Sequence, residues 1–157
     1  MIKNGDKLPE VNFQLLTKDG MQNPTTSDLF AGKKVVLFAV PGAFTPTCSE
    51  AHLPGYVVNA DKLKEKGVDS IICLAVNDAF VMGAWGKAQN AEELIMLADG
   101  DGAFTKSIGL EMDTGTFGGT RSQRYSMLVD DGVVKQLNVE QPKQFEVSKA
   151  EVMLGWL

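Results

Sequence analysis

Cysteine and histidine are scarce in this chain, and their scarcity limits the sites that it can build. The 157 residues include two cysteines, Cys48 and Cys73, and a single histidine, His52. Two widely spaced cysteines do not form the dense framework of a small disulfide-stabilised secreted domain. Two cysteines and one histidine also lack the paired CxxC spacing of structural zinc sites, so we expect no metal centre. The two thiols are left for catalysis or for packing.

Long apolar runs and an excess of basic residues are also missing. No apolar stretch approaches the roughly 20 residues that a transmembrane helix needs. The first residues, 1–6, lack the apolar core of a signal peptide, so we expect a cytoplasmic location. The formal net charge is −5, with acids and bases interspersed. This charge disfavours nucleic acid or an anionic membrane surface as the main partner.

The hydrophobic pattern alternates strands with helices. The predicted strands are apolar or alternating runs bounded by turn residues, and they cover 11–17, 35–40, 70–76, 94–98, 125–129 and 133–139. The predicted helices have capping or stop signals, and they cover 27–30, 48–66 (with a kink at Pro54-Gly55), 80–88, 103–108 and 148–156. The polar, glycine-rich segment 111–124 is predicted to be a loop. This order predicts one α/β domain over residues 1–157, built on a mixed sheet flanked by helices.

The junction between the first buried strand and the next helix contains Cys48. Thr47 is predicted to cap that helix, with Glu50 completing a capping box. Free N–H groups and the positive end of the helix dipole favour negative charge at a helix N-terminus. A thiol in the first turn is therefore shifted toward the thiolate, which is the reactive form. We predict that Cys48 is reactive and openly reachable, rather than an inert core thiol.

Four other polar side chains have roles that their positions leave open. The Thr45 hydroxyl can contact the Cys48 thiolate or merely shape the turn. His52 can share a helix face with Cys48, but no orienting Asp or Asn follows from the spacing. A structural or dimer-facing histidine is therefore favoured over a Cys–His nucleophile pair. Arg121 and Arg124 end the glycine-rich segment, and either can place a guanidinium beside the thiolate or stay solvated.

Cys73 lies between isoleucine and leucine in a predicted buried strand. Core packing is the favoured interpretation, because cysteine is among the residues most often buried. The alternative is a resolving thiol that forms a disulfide with Cys48. That bond requires the two Cα atoms to come within about 7 Å, so a buried strand cysteine would need local unfolding.

The longest motif spans Cys48 and continues into the predicted helix. It reads Pro41-Gly42-Ala43-Phe44-Thr45-Pro46-Thr47-Cys48-Ser49, followed by His52-Leu53-Pro54-Gly55, and it is supported by Val76–Met82, Trp85-Gly86 and Arg124–Met127. On these motifs the chain resembles the peroxiredoxins, and among them the type II, peroxiredoxin-five-like group. The resemblance covers most of the chain. It implies a thioredoxin-like fold without a fused glutaredoxin domain, and a peroxidase for hydrogen peroxide and alkyl hydroperoxides that needs no metal, haem or flavin cofactor.

The same resemblance implies a role for each residue around the thiol. Cys48 would be the peroxidatic cysteine, Thr45 would contact both thiolate and peroxide, and Pro41 would shield the pocket from water. Arg124 would stabilise the thiolate and orient the peroxide. The backbone N–H groups of Thr47 and Cys48 would bind peroxide oxygen, and Phe117 and, more loosely, Phe44 would form an apolar rim.

Recycling and assembly are also implied by the resemblance. Residues 140–148 lack the resolving cysteine that some type II members carry there. Cys73 instead matches the second cysteine of members recycled by glutaredoxin and glutathione, sometimes by thioredoxin. We therefore expect an external thiol reductant and a dispensable or supportive Cys73. A homodimer packed through Phe80–Met82 and Trp85 is expected.

Two other classes of function are kept as alternatives. A Cys–His hydrolase or acyl transferase requires a hydrogen bond between His52 and Cys48. A non-enzymatic, thioredoxin-like binding or holdase module requires no chemistry at Cys48.

Overall fold

A five-stranded mixed sheet forms the centre of the computed structural model, which describes residues 1–157. In chain order the strands are β1 (Leu15–Thr17), β2 (Gly20–Gln22), β3 (Lys34–Ala39), β4 (Ser70–Ala75), β5 (Ile95–Ala98), β6 (Glu111–Asp113), β7 (Thr120–Ser122), β8 (Tyr125–Asp130) and β9 (Val133–Val139). The central sheet has the order β5-β4-β3-β8-β9. Strands β3, β4 and β5 are parallel, whereas β8 pairs antiparallel with both β3 and β9. The predicted mixed sheet and its hairpin are confirmed.

Helical segments flank this sheet. They are α1 (Thr26–Phe30), a π-helix (Cys48–His52), α2 (Leu53–Val58), α3 (Ala60–Glu65), α4 (Ala79–Ala88), α5 (Ala103–Ser107) and α6 (Ala150–Leu154). The kink or break predicted at Pro54-Gly55 lies next to a division of the helix, because the π-helix ends at His52 and Pro54 lies in the first turn of α2, where its missing N–H is tolerated. A second break falls at Asn59, between α2 and α3. None of the helices has the length and apolar character needed to cross a bilayer.

Strand β3 is buried on both faces, as its continuous apolar pattern predicts. Val36 and Phe38 join one core cluster, which also contains both cysteines. Val35, Leu37 and Ala39 join a second cluster on the opposite face. This alternation follows from the two-residue period of a strand. It places the two thiols on the same side of the sheet.

Two regions differ from the sequence prediction. Residues 111–124 contain the hairpin β6–β7 instead of a loop, with Met112 opposite Arg121. Its strands are three residues long and mostly polar, so no apolar alternation marks them. Helix α1 begins after Thr25 rather than Ser27, because Thr25 and Asp28 form a reciprocal capping box. The strand predicted over 11–17 is shortened to β1.

The predicted dimer surface on α4 is largely internal. Met82 and Trp85 are fully buried in the core, whereas Phe80 is 67% exposed. Helix α4 itself begins as predicted, since the Asp78 side chain accepts a hydrogen bond from the Val81 N–H. Met82 and Trp85 are therefore core residues of the protomer, and the homodimer packed through Phe80–Met82 and Trp85 stays a prediction.

Candidate active site

Cys48 lies in the first turn of the helical segment that follows β3. Backbone helicity begins at Pro46, whose fixed φ suits the first turn of a helix. The predicted Thr47–Glu50 capping box is wrong, because Thr47 has helical backbone angles and makes no side-chain cap bond. The Leu53 N–H donates to the Cys48 carbonyl across five residues, which defines the π-helix. The predicted position of the thiol near a helix N-terminus is nevertheless confirmed.

Arg124 is the arginine that reaches the thiol. Its Nη2 donates a hydrogen bond to Cys48 Sγ at 3.1 Å. The sheet register explains this approach, because Tyr125 pairs with Ala39 and so brings the start of β8 beside the chain that leaves β3. A guanidinium donor at this distance stabilises a thiolate more than a neutral thiol.

Arg121 serves a different purpose. Its Nε donates to the Gly118 carbonyl at 3.1 Å and its Nη1 donates to the Val76 carbonyl at 3.0 Å. These bonds tie the β6–β7 turn to the end of β4. The sequence left both arginines as candidates, and the geometry selects Arg124.

His52 contacts Arg124, and no hydrogen bond joins it to Cys48. Arg124 Nη1 donates to His52 Nδ1 at 2.8 Å, and His52 Nε2 lies 3.1 Å from the Ser148 carbonyl. A guanidinium cannot accept a hydrogen bond, so His52 Nδ1 is the acceptor from Arg124. The proton is therefore on Nε2, which donates to the Ser148 carbonyl. Burial, and then the charge of Arg124, lower the pKa of His52 to about 3 against the opposing effect of the Ser148 carbonyl.

The histidine is therefore neutral and structural, as favoured, but it is not dimer-facing because it is almost fully buried. A Cys–His nucleophile pair has no support in this geometry. The sequence did not indicate that His52 holds the arginine, since the two residues are far apart in the chain.

Glu140 and Ser148 extend this network beyond the residues that the sequence singled out. Glu140 Oε2 accepts from Ser148 Oγ at 2.6 Å and from the Ser148 and Glu146 N–H groups at 2.8 Å each. Burial raises the pKa of Glu140, but these hydrogen bonds outweigh it and the pKa is lowered. The Ser148 carbonyl also accepts from the Tyr56 hydroxyl at 2.8 Å.

A cavity of about 610 Å³ borders the site. It is lined by Pro41, Thr47, Met112, Gln123, Arg124 and residues 140–145. Cys48 has no exposed surface, so the prediction of an openly reachable sulfur is wrong for this conformation. The thiol belongs to a core cluster, together with Leu53 and Tyr56 from the helix that follows it.

The predicted aromatic rim lies outside this cavity. Phe44 and Phe117 are 57% and 67% exposed, and neither lines the cavity wall. Met112 and Phe145 supply its large apolar side chains instead. The sequence offered no signal for them, since Met112 lies in the hairpin that was predicted as a loop.

The Thr45 side chain shapes the turn before the helix. Its hydroxyl donates to the Gly42 carbonyl at 2.6 Å, and no hydrogen bond joins it to Cys48. Phe44 has a left-handed backbone with φ of 62°, which a bulky residue rarely adopts. Of the two roles considered for Thr45, the turn-shaping one is present in this structure.

Cys73 is fully buried in β4, which confirms the packing interpretation. Burial and then the nearby Cys48 raise the pKa of the Cys73 thiol well above its ordinary value, and Arg124 only partly offsets them. Both cysteines are free thiols. No group of three or more His, Cys, Asp or Glu side chains is arranged to hold a metal ion.

Known proteins resemble the chain over nearly its whole length. The family model described as Redoxin matches residues 3–154. Peroxiredoxin-2E, chloroplastic, of Arabidopsis thaliana is 50% identical over 161 residues, which cover 98% of this chain and 68% of that protein. Peroxiredoxin-2B of the same plant is 47% identical over 153 residues, which cover 96% of this chain and 94% of that protein.

A solved structure agrees with these sequence matches. Reduced Prx3 of Vibrio vulnificus in complex with hydrogen peroxide has a TM-score of 0.98 and 67% identity, with 99% of each chain covered. This similarity confirms the thioredoxin-like fold that the resemblance implied. The chain therefore belongs to the Redoxin family and is a peroxiredoxin of the type II, peroxiredoxin-five-like group, which makes it a thiol peroxidase.

Proposed function

We propose that Cys48 is the peroxidatic cysteine and that Arg124 activates it. The observation that carries this proposal is the 3.1 Å hydrogen bond from Arg124 Nη2 to Cys48 Sγ. The thiolate sulfur attacks one peroxide oxygen, so that an S–O bond forms as the O–O bond breaks. The other oxygen takes up a proton and leaves as water or an alcohol, and Cys48 becomes a sulfenic acid.

Arg124 has a second task in this reaction. Negative charge develops on the leaving oxygen, and a donor that is already in place stabilises it without reorganising. Amide groups of the first helical turn, at Thr47 and Cys48, are proposed as further donors to the peroxide. Thr45 joins them when its hydroxyl turns from Gly42 toward the bound peroxide.

The cavity is the proposed route for the substrate. Pro41, Thr47 and Arg124 form its wall on the side of the buried thiol, so a small displacement there admits a peroxide while Pro41 limits water. The Vibrio vulnificus relative binds hydrogen peroxide in its reduced form. Met112 and Phe145 add apolar surface suited to the organic part of alkyl hydroperoxides. The substrates proposed are hydrogen peroxide and alkyl hydroperoxides.

An external thiol is the proposed reductant, with glutaredoxin and glutathione favoured and thioredoxin second. The reductant thiolate attacks the sulfenic sulfur, an S–S bond forms, and the oxygen leaves as water after taking up a proton. A second thiol then releases Cys48. Cys73 is an unfavourable resolving thiol because burial raises its pKa and so keeps it protonated.

A homodimer is proposed from the aromatic side chains that the protomer exposes. Phe44 and Phe80 are exposed aromatic side chains, and they suit a homodimer surface better than the buried Met82 and Trp85. A cytoplasmic location stays a prediction.

Rapid mixing with hydrogen peroxide tests the role of Cys48, with the sulfenic acid trapped by dimedone and located by mass spectrometry. We expect a fast phase in the wild type that is absent from Cys48→Ser and retained by Cys73→Ser, the matched control. Peroxide consumption that survives in Cys48→Ser would overturn the assignment. Turnover with glutaredoxin plus glutathione, compared with thioredoxin, tests the reductant.

A further inference from the structure

Glu140 is a buried carboxylate without a cationic partner. Its residue is 7% exposed, and the one salt bridge of the protein joins Lys3 to Asp6 instead. Burying a charged group is costly unless hydrogen bonds replace its hydration. Three donors supply that replacement, all on Oε2 and all from Glu146 and Ser148. The carboxylate thus closes residues 140–148 into a loop that walls the cavity.

Glu140 is connected to Arg124 in two ways, through its backbone and through its side chain. The Glu140 N–H donates to the Arg124 carbonyl at 3.0 Å, which ties the backbone of the two residues together. The Glu140 side chain holds Ser148, whose carbonyl accepts from His52 Nε2. His52 Nδ1 in turn accepts from Arg124 Nη1. Glu140 therefore constrains the arginine at its backbone directly and at its guanidinium through two residues.

Two hydrogen bonds and one aromatic ring hold the guanidinium. Arg124 donates from Nη1 to His52 and from Nη2 to Cys48 Sγ, and its Cζ lies 5.7 Å from the centroid of the Phe145 ring. Phe145 belongs to the same closed loop, and its ring also lies 5.0 Å from that of His52. Opening the loop would displace both the Ser148 carbonyl that accepts from His52 and the Phe145 ring that contacts Arg124.

We propose that the bonds from Ser148 and Glu146 to Glu140, hereafter the Glu140 clamp, position Arg124 for the reaction at Cys48. Glu140 is a positioning residue in this view, because it touches neither the thiol nor the peroxide. Without the clamp the Ser148 carbonyl shifts, the imidazole loses its orientation, and Nη2 is no longer held on the sulfur. The inference rests on the proposed function of Cys48 and Arg124.

A double-mutant cycle tests whether Glu140 acts through Arg124. The variants are Glu140→Ala, Arg124→Ala and their combination, and the measured quantity is the rate constant of Cys48 sulfenic acid formation. Because a displacement of about 1 Å near the reacting atoms can cost roughly 100-fold, we expect Glu140→Ala to slow the reaction about tenfold or more. In the Arg124→Ala background the same change should have an effect of less than about twofold.

Glu146→Ala is the matched control. It removes an exposed carboxylate from the same loop, while its backbone N–H still serves the clamp. We expect its rate to equal that of the wild type. A wild-type rate in Glu140→Ala, or equal slowing with and without Arg124, would overturn the proposal.

The single histidine provides a second readout that needs no peroxide. Nitrogen NMR of histidine-labelled protein reports the His52 tautomer and its protonation. We expect one neutral Nε2–H form in the wild type and in Glu146→Ala. Glu140→Ala should show mixed tautomers or protonation near neutral pH. A wild-type imidazole spectrum in Glu140→Ala would show that the clamp does not act through His52.

The two measurements separate failure of the clamp from failure of the proposed function. Absence of a Cys48-dependent phase in the wild type would reject the function, while the imidazole spectra still decide the clamp. If Glu140→Ala does not fold, Ser148→Ala replaces it, since it removes only the hydroxyl donor and keeps both N–H bonds. Its spectrum and rate should lie between those of wild type and those expected for an open clamp, and unchanged values would again overturn the proposal.

Discussion

The two cysteines of this peroxiredoxin share one core cluster and differ in almost everything else. Cys48 and Cys73 are both fully buried free thiols on the same side of the sheet. Cys48 lies in the first turn of a helical segment and accepts a hydrogen bond from Arg124, whereas Cys73 lies in the middle of β4 between Phe38 and Met96 of the neighbouring strands. The comparison teaches that two equally buried thiols can face different surroundings, which is the basis of the difference in reactivity proposed for them. Only Cys48 has a guanidinium donor on its sulfur.

Removing Arg124 should leave Cys48, like Cys73, without a guanidinium donor on its sulfur. We expect this change to have the largest effect on the rate of sulfenic acid formation among the predictions that follow. We expect Arg124→Ala to slow sulfenic acid formation by about 10²–10³-fold, the range typical for losing one donor to a developing charge. Stopped-flow kinetics with hydrogen peroxide measure it. Arg121→Ala is the control, because Arg121 bonds to carbonyls of Gly118 and Val76 and not to the thiol. Equal losses in both variants would contradict the comparison.

Acid should destabilise the protein through the histidine beside Cys48. The folded-state pKa of His52 is lowered from 6.5 to about 3. Between these two pH values, His52 is protonated in the unfolded chain and neutral in the folded protein. Stability is therefore present above about pH 6.5 and is lost as the pH falls, by about 2 kcal/mol between pH 7 and pH 5. Urea unfolding at several pH values measures this loss.

His52→Gln is the matched variant for that measurement. A glutamine does not titrate, so its stability should stay nearly flat over the same interval, where most carboxylates are still ionised. The chain has no other histidine to confuse the result. A steep loss that persists in His52→Gln would assign the acid sensitivity to another group.

Cys73→Ala should affect stability and spare catalysis. Removing a fully buried sulfur leaves a small cavity, and we expect a loss of about 1–2 kcal/mol in the free energy of unfolding. The rate of Cys48 oxidation should change by less than about twofold, since Cys73 makes no hydrogen bond to the reacting groups. Urea unfolding and stopped-flow kinetics on the same preparation provide both numbers. A large kinetic effect with intact stability would make Cys73 a participant.

The smallest effect expected is a gain in stability beside Cys48. Phe44 has a φ of 62° and is 57% exposed, with its ring centroid 6.4 Å from that of Trp85, so Phe44→Gly relieves an unfavourable backbone conformation and loses that tilted ring contact. We expect a net gain of about 0.5 kcal/mol. Phe117→Gly, at a similarly exposed residue without positive φ, should instead lose stability. The same sign for both variants would show that the Phe44 conformation stores no strain.

Local patterns predicted the elements that carry Cys48. The apolar run of β3 and the helix that follows it are marked by residues adjacent in the chain, so the position of the thiol near a helix N-terminus could be predicted. Capping details could not, because the predicted caps Ser27 and Thr47 are not used: Thr25 caps α1, and Thr47 has helical backbone angles. The hairpin β6–β7 was also missed, since polar three-residue strands carry no periodic signal.

The contacts that give the site its chemistry join distant parts of the chain. Arg124 meets Cys48 across 76 residues, and His52 meets Ser148 across 96. Two arginines, one histidine and many carboxylates could have filled these roles, and composition does not choose among them. The choice of Arg124 follows from the pairing of Tyr125 with Ala39 in the sheet.

From residue order alone follow the alternation of strand and helix, the placement of Cys48 near a helix N-terminus, and the packing of Cys73. These depend on short-range periodicity, turn chemistry and the dipole of one helix. The tertiary structure decided that Cys48 is buried and that Arg124 rather than Arg121 donates to it. It also decided that His52 accepts from the Arg124 guanidinium and that Glu140 bonds to the Arg124 backbone. Sheet register and long-range hydrogen bonds produce these results, and neither is encoded in any short segment.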